Sequence, residues 1–174
     1  PSESDLALAI QPADPAAIHT AREALRTRLS LHLTEDLKRL HIGLQELAEF
    51  SPDAASAGRR ALRNAALDLL AANPRAEIGE LAEGHYRAAA NMTDAMGGLS
   101  ALMLVGGEAY EGALADFFDR WKSEPLVIDK WFALQARDPG ETALGRVMGL
   151  TTHPAFEEKN PNRLRALVST FANF

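Results

Sequence analysis

The stretch GEAYEGALADFFDRWKSEPLVIDKWFALQ, residues 107–135, decides the fold. Tyr110, Leu114, Phe117, Phe118 and Trp121 fall at helical spacing. Pro125 then interrupts, and Ile128, Trp131, Phe132 and Gln135 follow on one face of a new run. A period near 3.6 places each set on one side of a helix, and a proline in the first turn starts the second helix. Two amphipathic helices with a short break between them must pack against each other or against neighbours.

The same period extends in both directions. Asp14-Pro15 reads as a cap followed by a favoured first residue. The long run after it carries Ile18, Ala21, Leu25 and Leu29, then Leu33, Leu37, Leu40, Leu44 and Leu47, as its expected inward stripe. It is one long helix or two joined near Thr34. Glu49 to Ser56 reads as a loop, and Leu62, Ala65, Ala66 and Leu69 as the stripe of a helix ended by Asn73-Pro74. A short helix spans about Ala76 to Ala89. The next opens at Thr93-Asp94, directs Met96, Leu99, Leu102 and Met103 inward, and closes at Gly106-Gly107. Beyond the turn Asp138-Pro139-Gly140, Leu144, Val147 and Met148 mark a further helix, broken at His153-Pro154. Asn162 to Ala172, with Leu164, Leu167, Val168 and Phe171 inward, makes the last. About eight helices and no strand define an all-α chain. Short connections between antiparallel neighbours stack as a bundle or as a solenoid of helix pairs, and varied helix length with one stripe each favours the solenoid.

At 174 residues the chain suits one domain, taken as 1–174, with 47% hydrophobic and 24% charged residues, a globular composition. A net charge of -6, without a basic stripe, argues against a nucleic-acid partner. The absence of cysteine excludes disulfides and thiolate chemistry and favours the cytoplasm. No apolar run has the length needed to span a membrane.

Asn91-Met92-Thr93-Asp94, Asp129-Lys130-Trp131-Phe132 and Asn160-Pro161-Asn162-Arg163-Leu164-Arg165 recur at helix starts. Together with Arg22-Glu23-Ala24-Leu25 and Leu62-Arg63-Asn64-Ala65, their order and separation resemble the C-terminal domain of bacterial aminopeptidase N, the zinc-dependent alanyl aminopeptidases. The likeness covers essentially the whole chain. It implies an ARM/HEAT-like superhelix of helix pairs, part of a larger polypeptide, that walls and gates the peptide chamber of the catalytic domain. The partners implied are that catalytic domain and peptide substrates. The family's H-E-x-x-H zinc helix and its G-A-M-E-N stretch are not in this sequence. No cofactor is therefore expected on this chain, zinc being the parent enzyme's, and no catalytic residue is assigned. The rival reading is a free-standing helical-repeat module that binds protein on its concave face.

The residues themselves point the same way. His19, His32, His41, His85 and His153 offer no pair one helical turn apart, as a zinc site would require, and read as surface or helix-end histidines. No nucleophile elbow is present. Gly97-Gly98 sits inside a helical pattern, where close packing is the simpler role than phosphate binding. Asn91, Asp94, Asp129, Lys130, Asn160 and Asn162 read as structural polar signatures that cap or pair helices. Asn162 is the expected cap of the last helix, leaving Arg163 and Arg165 in its first turn. Two cations there oppose the helix dipole, so each needs an anion. One candidate is an internal bridge to Asp94 or Asp129; the other is the carboxylate of a peptide, which makes Arg163 and Arg165 the substrate-channel candidates.

Overall fold

The computed structural model describes residues 2–46 and 49–173, and among these every regular element is helical. A first short helix, α1 (Glu3–Ala9), precedes those read from periodicity. Ser2 accepts from the Asp5 amide, and the Asp5 carboxylate reaches back to the Ser2 amide at 2.9 Å, a reciprocal capping box. Glu3 then ties α1 to α2 (Pro15–Gly43) through His19 at 2.9 Å and Arg22 at 3.2 Å.

α2 is one unbroken helix of 29 residues, its first turn held by Asp14 accepting from the Ala17 amide. The stripe expected to face inward does so only in part: Ile18 is buried and Leu37 packs against the core, but Leu25 is 57% exposed, and Leu29 and Leu33 also face outward. Leu47 lies outside the described residues. The buried line of the second half is Ser30, Thr34 and His41, with Leu37 packed beside it. These recur at i, i+4, i+7 and i+11, a second helical stripe adjacent to the first. Small hydroxyl residues bring α2 close to α3 (Ala54–Ala71), and their polarity is met locally. Ser30 Oγ donates to the Leu70 carbonyl at 3.1 Å, and Thr34 Oγ1 donates to the Ser30 carbonyl.

The helix of α3 begins earlier than the expected loop end, because Asp53 accepts from the amides of Ala55 and Ser56 at 2.8 and 3.0 Å. Its buried set is Arg60, Arg63, Ala66, Leu67, Leu70 and Ala71, so the expected Leu62 lies on the exposed side. α4 (Ala76–Arg87) and α5 (Met92–Val105) then form a close pair. A Cβ built on Gly98 would lie 2.8 Å from Tyr86 Cβ, and one on Gly97 would lie 2.6 Å from the Asn64 side chain. Only hydrogen fits at these two crossings. Gly106, at φ 74°, turns the chain from α5 into α6 (Gly107–Trp121) in a conformation suited to glycine.

α7 (Pro125–Gln135) follows Pro125 as expected, and α8 (Ala143–Leu150) is short. In α8 the buried residues are Ala143, Val147 and Leu150, while Leu144 and Met148 face outward. The last rod comprises α9 (Pro161–Leu164), a π turn over Arg165–Ser169, and α10 (Thr170–Asn173). Leu167 is its fully buried anchor; Leu164 and Val168, expected inward, are exposed.

The helices form two layers in the manner of stacked helix pairs. α3 packs on α5, and α7 on the final rod, along one side, while α4 and α6 pack along the other. Between the layers lie Leu67, Leu70, Leu99, Leu102, Phe117, Ile128 and Phe132, all essentially excluded from water. Trp131 is a core residue whose indole N–H donates to the Leu114 carbonyl at 3.0 Å. Around it Phe118, Phe132 and His153 make tilted and edge-on contacts.

Candidate functional site

The layer of α3, α5, α7 and the final rod, with the first half of α2, lines an open groove of about 1030 Å³. Met96, Met103, Leu104 and Leu134 form its floor. Its two ends differ in charge. At the α2 end, Arg26 is paired with Glu23 at 3.2 Å and with Asp68 at 2.8 Å. At the other end stand Lys130, Arg137 and Arg165, all exposed, and none has a carboxylate partner among the described residues. Lys130 stands on α7 and Arg137 in the turn just past its C-terminal cap, and both line the groove.

Arg163 and Arg165 part company. Asn160, not Asn162, caps the final rod: its side-chain oxygen accepts from the amides of Asn162 and Arg163 at 3.0 and 3.4 Å, with Pro161 as the first helical residue. Positions two apart on a helix point to nearly opposite sides, so only one arginine can face the groove. Arg163 is the inward one, 5% exposed. Its Nε donates to Asp129 Oδ1 at 2.6 Å, Nη1 to the Ala155 carbonyl and Nη2 to the Pro125 carbonyl at 3.3 Å. The guanidinium also lies 5.0 Å from the centre of the Phe132 ring. As a channel candidate Arg163 is therefore corrected: each of its three guanidinium nitrogens is engaged inside the protein. Asp129, rather than Asp94, is the internal carboxylate. Lys130, its neighbour, points to the groove.

Arg165 and Thr170 line the groove from either side of the π turn, and Thr170 Oγ1 donates to the Arg165 carbonyl at 3.2 Å. π turns inside helices are often found at functional positions.

A second polar cluster was not legible as one. His41 and His85, expected at the surface or at helix ends, do lie in the last turns of α2 and α4, but they are buried and in contact, with Nε2 of His41 2.9 Å from Nδ1 of His85. His85 Nε2 lies 3.1 Å from the Asp94 carbonyl, which can only accept, so this nitrogen carries the proton. Nδ1 of His85 must then accept from His41 Nε2–H, leaving His41 Nδ1 a bare acceptor with no partner. Asp94 is buried beside them, its Oδ2 3.0 Å from Asn91 Nδ2 and 3.8 Å from Arg63, its Oδ1 unpartnered. Asn91 caps α5 by accepting from the Asp94 amide at 2.9 Å. Burial, and then the Arg63 charge, hold both imidazoles far below their ordinary range, at about 4. A sequence signal existed for His85: it continues the Ile78, Ala82 stripe of α4, so it sits on the apolar face.

Among the described residues no three His, Asp or Glu side chains converge to hold a metal ion. The two buried imidazoles bond to each other instead of facing a common point. Among the described residues no helix is long and apolar enough to cross a membrane.

Comparison with known proteins fits this architecture. Residues 1–174 match the family described as "Domain of unknown function (DUF3458_C) ARM repeats". The chain is 59% identical over 174 residues to aminopeptidase N of Caulobacter vibrioides, covering all of this chain and 20% of that protein. It is 37% identical to the Haemophilus influenzae aminopeptidase N and 34% identical to that of Escherichia coli, in each case over 99% of this chain and 20% of the relative. It thus spans about a fifth of the length of the curated relatives it matches. Among solved structures, Legionella pneumophila aminopeptidase A in complex with aspartic acid superposes with a TM-score of 0.84 at 26% identity, over 98% of this chain and 21% of that one. The groove, the stacked helix pairs and the likeness along the full chain lead to one statement of kinship: the chain belongs to the DUF3458_C family of ARM-repeat domains.

Proposed function

We propose that this chain is a non-catalytic wall of the peptide chamber in an aminopeptidase N-type zinc enzyme, and that Lys130, Arg137 and Arg165 steer the carboxylate end of a peptide within it. The observation that carries the reading is the groove's uneven charge. Its cations near α2 are neutralised by neighbouring carboxylates, while the three at the α7 end are exposed and unpaired. An arginine fork matches a carboxylate, and an apolar floor accommodates side chains of varied sequence. The kinship to aminopeptidases supports the same reading. The zinc, its ligands and the hydrolytic step belong in this proposal to the rest of the polypeptide; among the described residues no group of His, Asp and Glu converges on a metal. The cytoplasm is the proposed compartment, from the lack of cysteine.

The test compares two substrates in the full-length enzyme carrying this domain. Arg165→Ala, alone and with Arg137→Ala, is expected to raise KM for short peptides while sparing an alanyl amide that has no carboxylate. Equal effects on both substrates would remove the steering role.

A further inference from the structure

We propose that the His41–His85 pair is an acid-operated latch: neutral, it fastens the second half of α2 to α4 and through α4 to α5, and doubly protonated, it releases that half and reshapes the groove. The argument rests on proton count. In the neutral state His41 Nε2–H donates to His85 Nδ1, and His85 Nε2–H donates to the Asp94 carbonyl, so one chain of bonds joins α2 to α4 and α4 to α5. A first added proton finds one open lone pair, His41 Nδ1, and turns it into a donor with no acceptor, shut away from water. The bond between the rings survives, but it carries a buried charge. A second proton places donor against donor across the 2.9 Å contact, and the bond is lost.

The charged groups around the pair act in the same direction on balance. From α3, Arg63 lies beside both rings and its Nε donates to the His41 carbonyl at 3.3 Å. From α5, Asp94 favours protonation, yet its Oδ1 is 4.0 Å from His85 Nε2, beyond hydrogen-bond reach. Arg60 of α3 is taken by Glu46, which follows α2, at 2.9 Å. On α2 itself, Lys38 turns to Glu35 and to Glu77 of α4 at 3.5 and 3.1 Å. Burial and Arg63 outweigh the single opposing carboxylate, so both rings titrate near pH 4 while folded and nearer 6.5 once released.

Release would reach the groove because α2 is continuous. Its first half supplies His19, Glu23 and Arg26 to the groove wall, and its second half carries the latch. The inference does not depend on what the groove binds.

Amide hydrogen exchange on the 174-residue chain between pH 7 and pH 4, corrected for intrinsic exchange rates, tests it. Amides of residues 34–43 are expected to lose protection as pH falls below 6.5, by up to about a hundredfold per pH unit when both rings charge on opening. Amides around Phe117 and Phe132 are expected to hold. Loss in both regions together, or no loss in residues 34–43 by pH 4, overturns the latch. His41→Gln keeps a donor for His85 Nδ1 but cannot be charged, so its slope is expected to fall to about tenfold per pH unit. An unchanged slope overturns the proposal. Should that variant not fold, ring nitrogen shifts of the unaltered protein serve instead: both rings neutral and protonated on Nε2 at pH 7 is the expected result, and a charged ring or an Nδ1-protonated pair overturns it.

Discussion

The two buried polar clusters of this molecule do the same mechanical job with opposite degrees of completion. Arg163 joins the final rod to α7 and to the segment before the rod, and its fork is satisfied by Asp129 and two carbonyls. The His41–His85–Asp94 cluster joins α2 to α4 and α5, yet leaves an imidazole nitrogen and a carboxylate oxygen without partners. A guanidinium held this way has no lone pair to offer and resists only by breaking. A buried chain with spare lone pairs has somewhere for a proton to go, and its stability follows the medium.

That contrast breaks most easily at Arg163. Arg163→Ala strands Asp129 and two carbonyls and is expected to destabilise the chain by about 3–5 kcal/mol, read from denaturant unfolding. Arg163→Lys should recover little of it, since an ammonium cannot reproduce the fork. Acidification comes next. Each latch histidine has a folded pKa of about 4 against 6.5 unfolded, so the unfolded chain binds more protons between these values. Their contribution is complete above pH 6.5, falls as pH drops towards 4, and changes no further below it. The loss is at most about 3 kcal/mol per ring, measurable as a falling unfolding midpoint.

Gly98→Ala sharpens the comparison from the backbone side. The new methyl would press on Tyr86, next to His85, and is expected to cost about 1–3 kcal/mol. By loosening α4 from α5 it should also lower the protection of residues 34–43 at neutral pH, which the same exchange measurement reads. The smallest effect belongs to Arg165→Ala, expected to leave stability within about 0.5 kcal/mol because the side chain is exposed and unpaired. A clear drop in melting temperature there would place Arg165 with Arg163 as structure.

Much of the fold was legible because its punctuation is local. Pro125, Asn73-Pro74 and Gly106-Gly107 mark ends, and the aromatic stripe of α6 and α7 has no rival. α2 misled because it carries two stripes of the same period: hydrophobicity picks Leu25, Leu29 and Leu33, whereas packing with α3 needed the small hydroxyl line of Ser30 and Thr34. α1 was missed although Ser2 and Asp5 carry the spacing of a capping box. For the site, the spacing of Arg163 and Arg165 announced that they diverge, but which one turns inward depends on Asp129, 34 residues away in the chain. The His41–His85 contact spans 44 residues and two helices, a pairing that no local periodicity encodes.

The π turn at Arg165–Ser169 gives the final rod a place where one position can be lost without turning the rest. Such a turn accommodates one residue more than an α-helical ladder of the same rise. Deleting a single position within it would restore the ordinary ladder and leave Thr170 facing the groove and Phe171 against the core as before. Adding a position instead would rotate everything beyond by about 100° and move the end of the chain off both faces together.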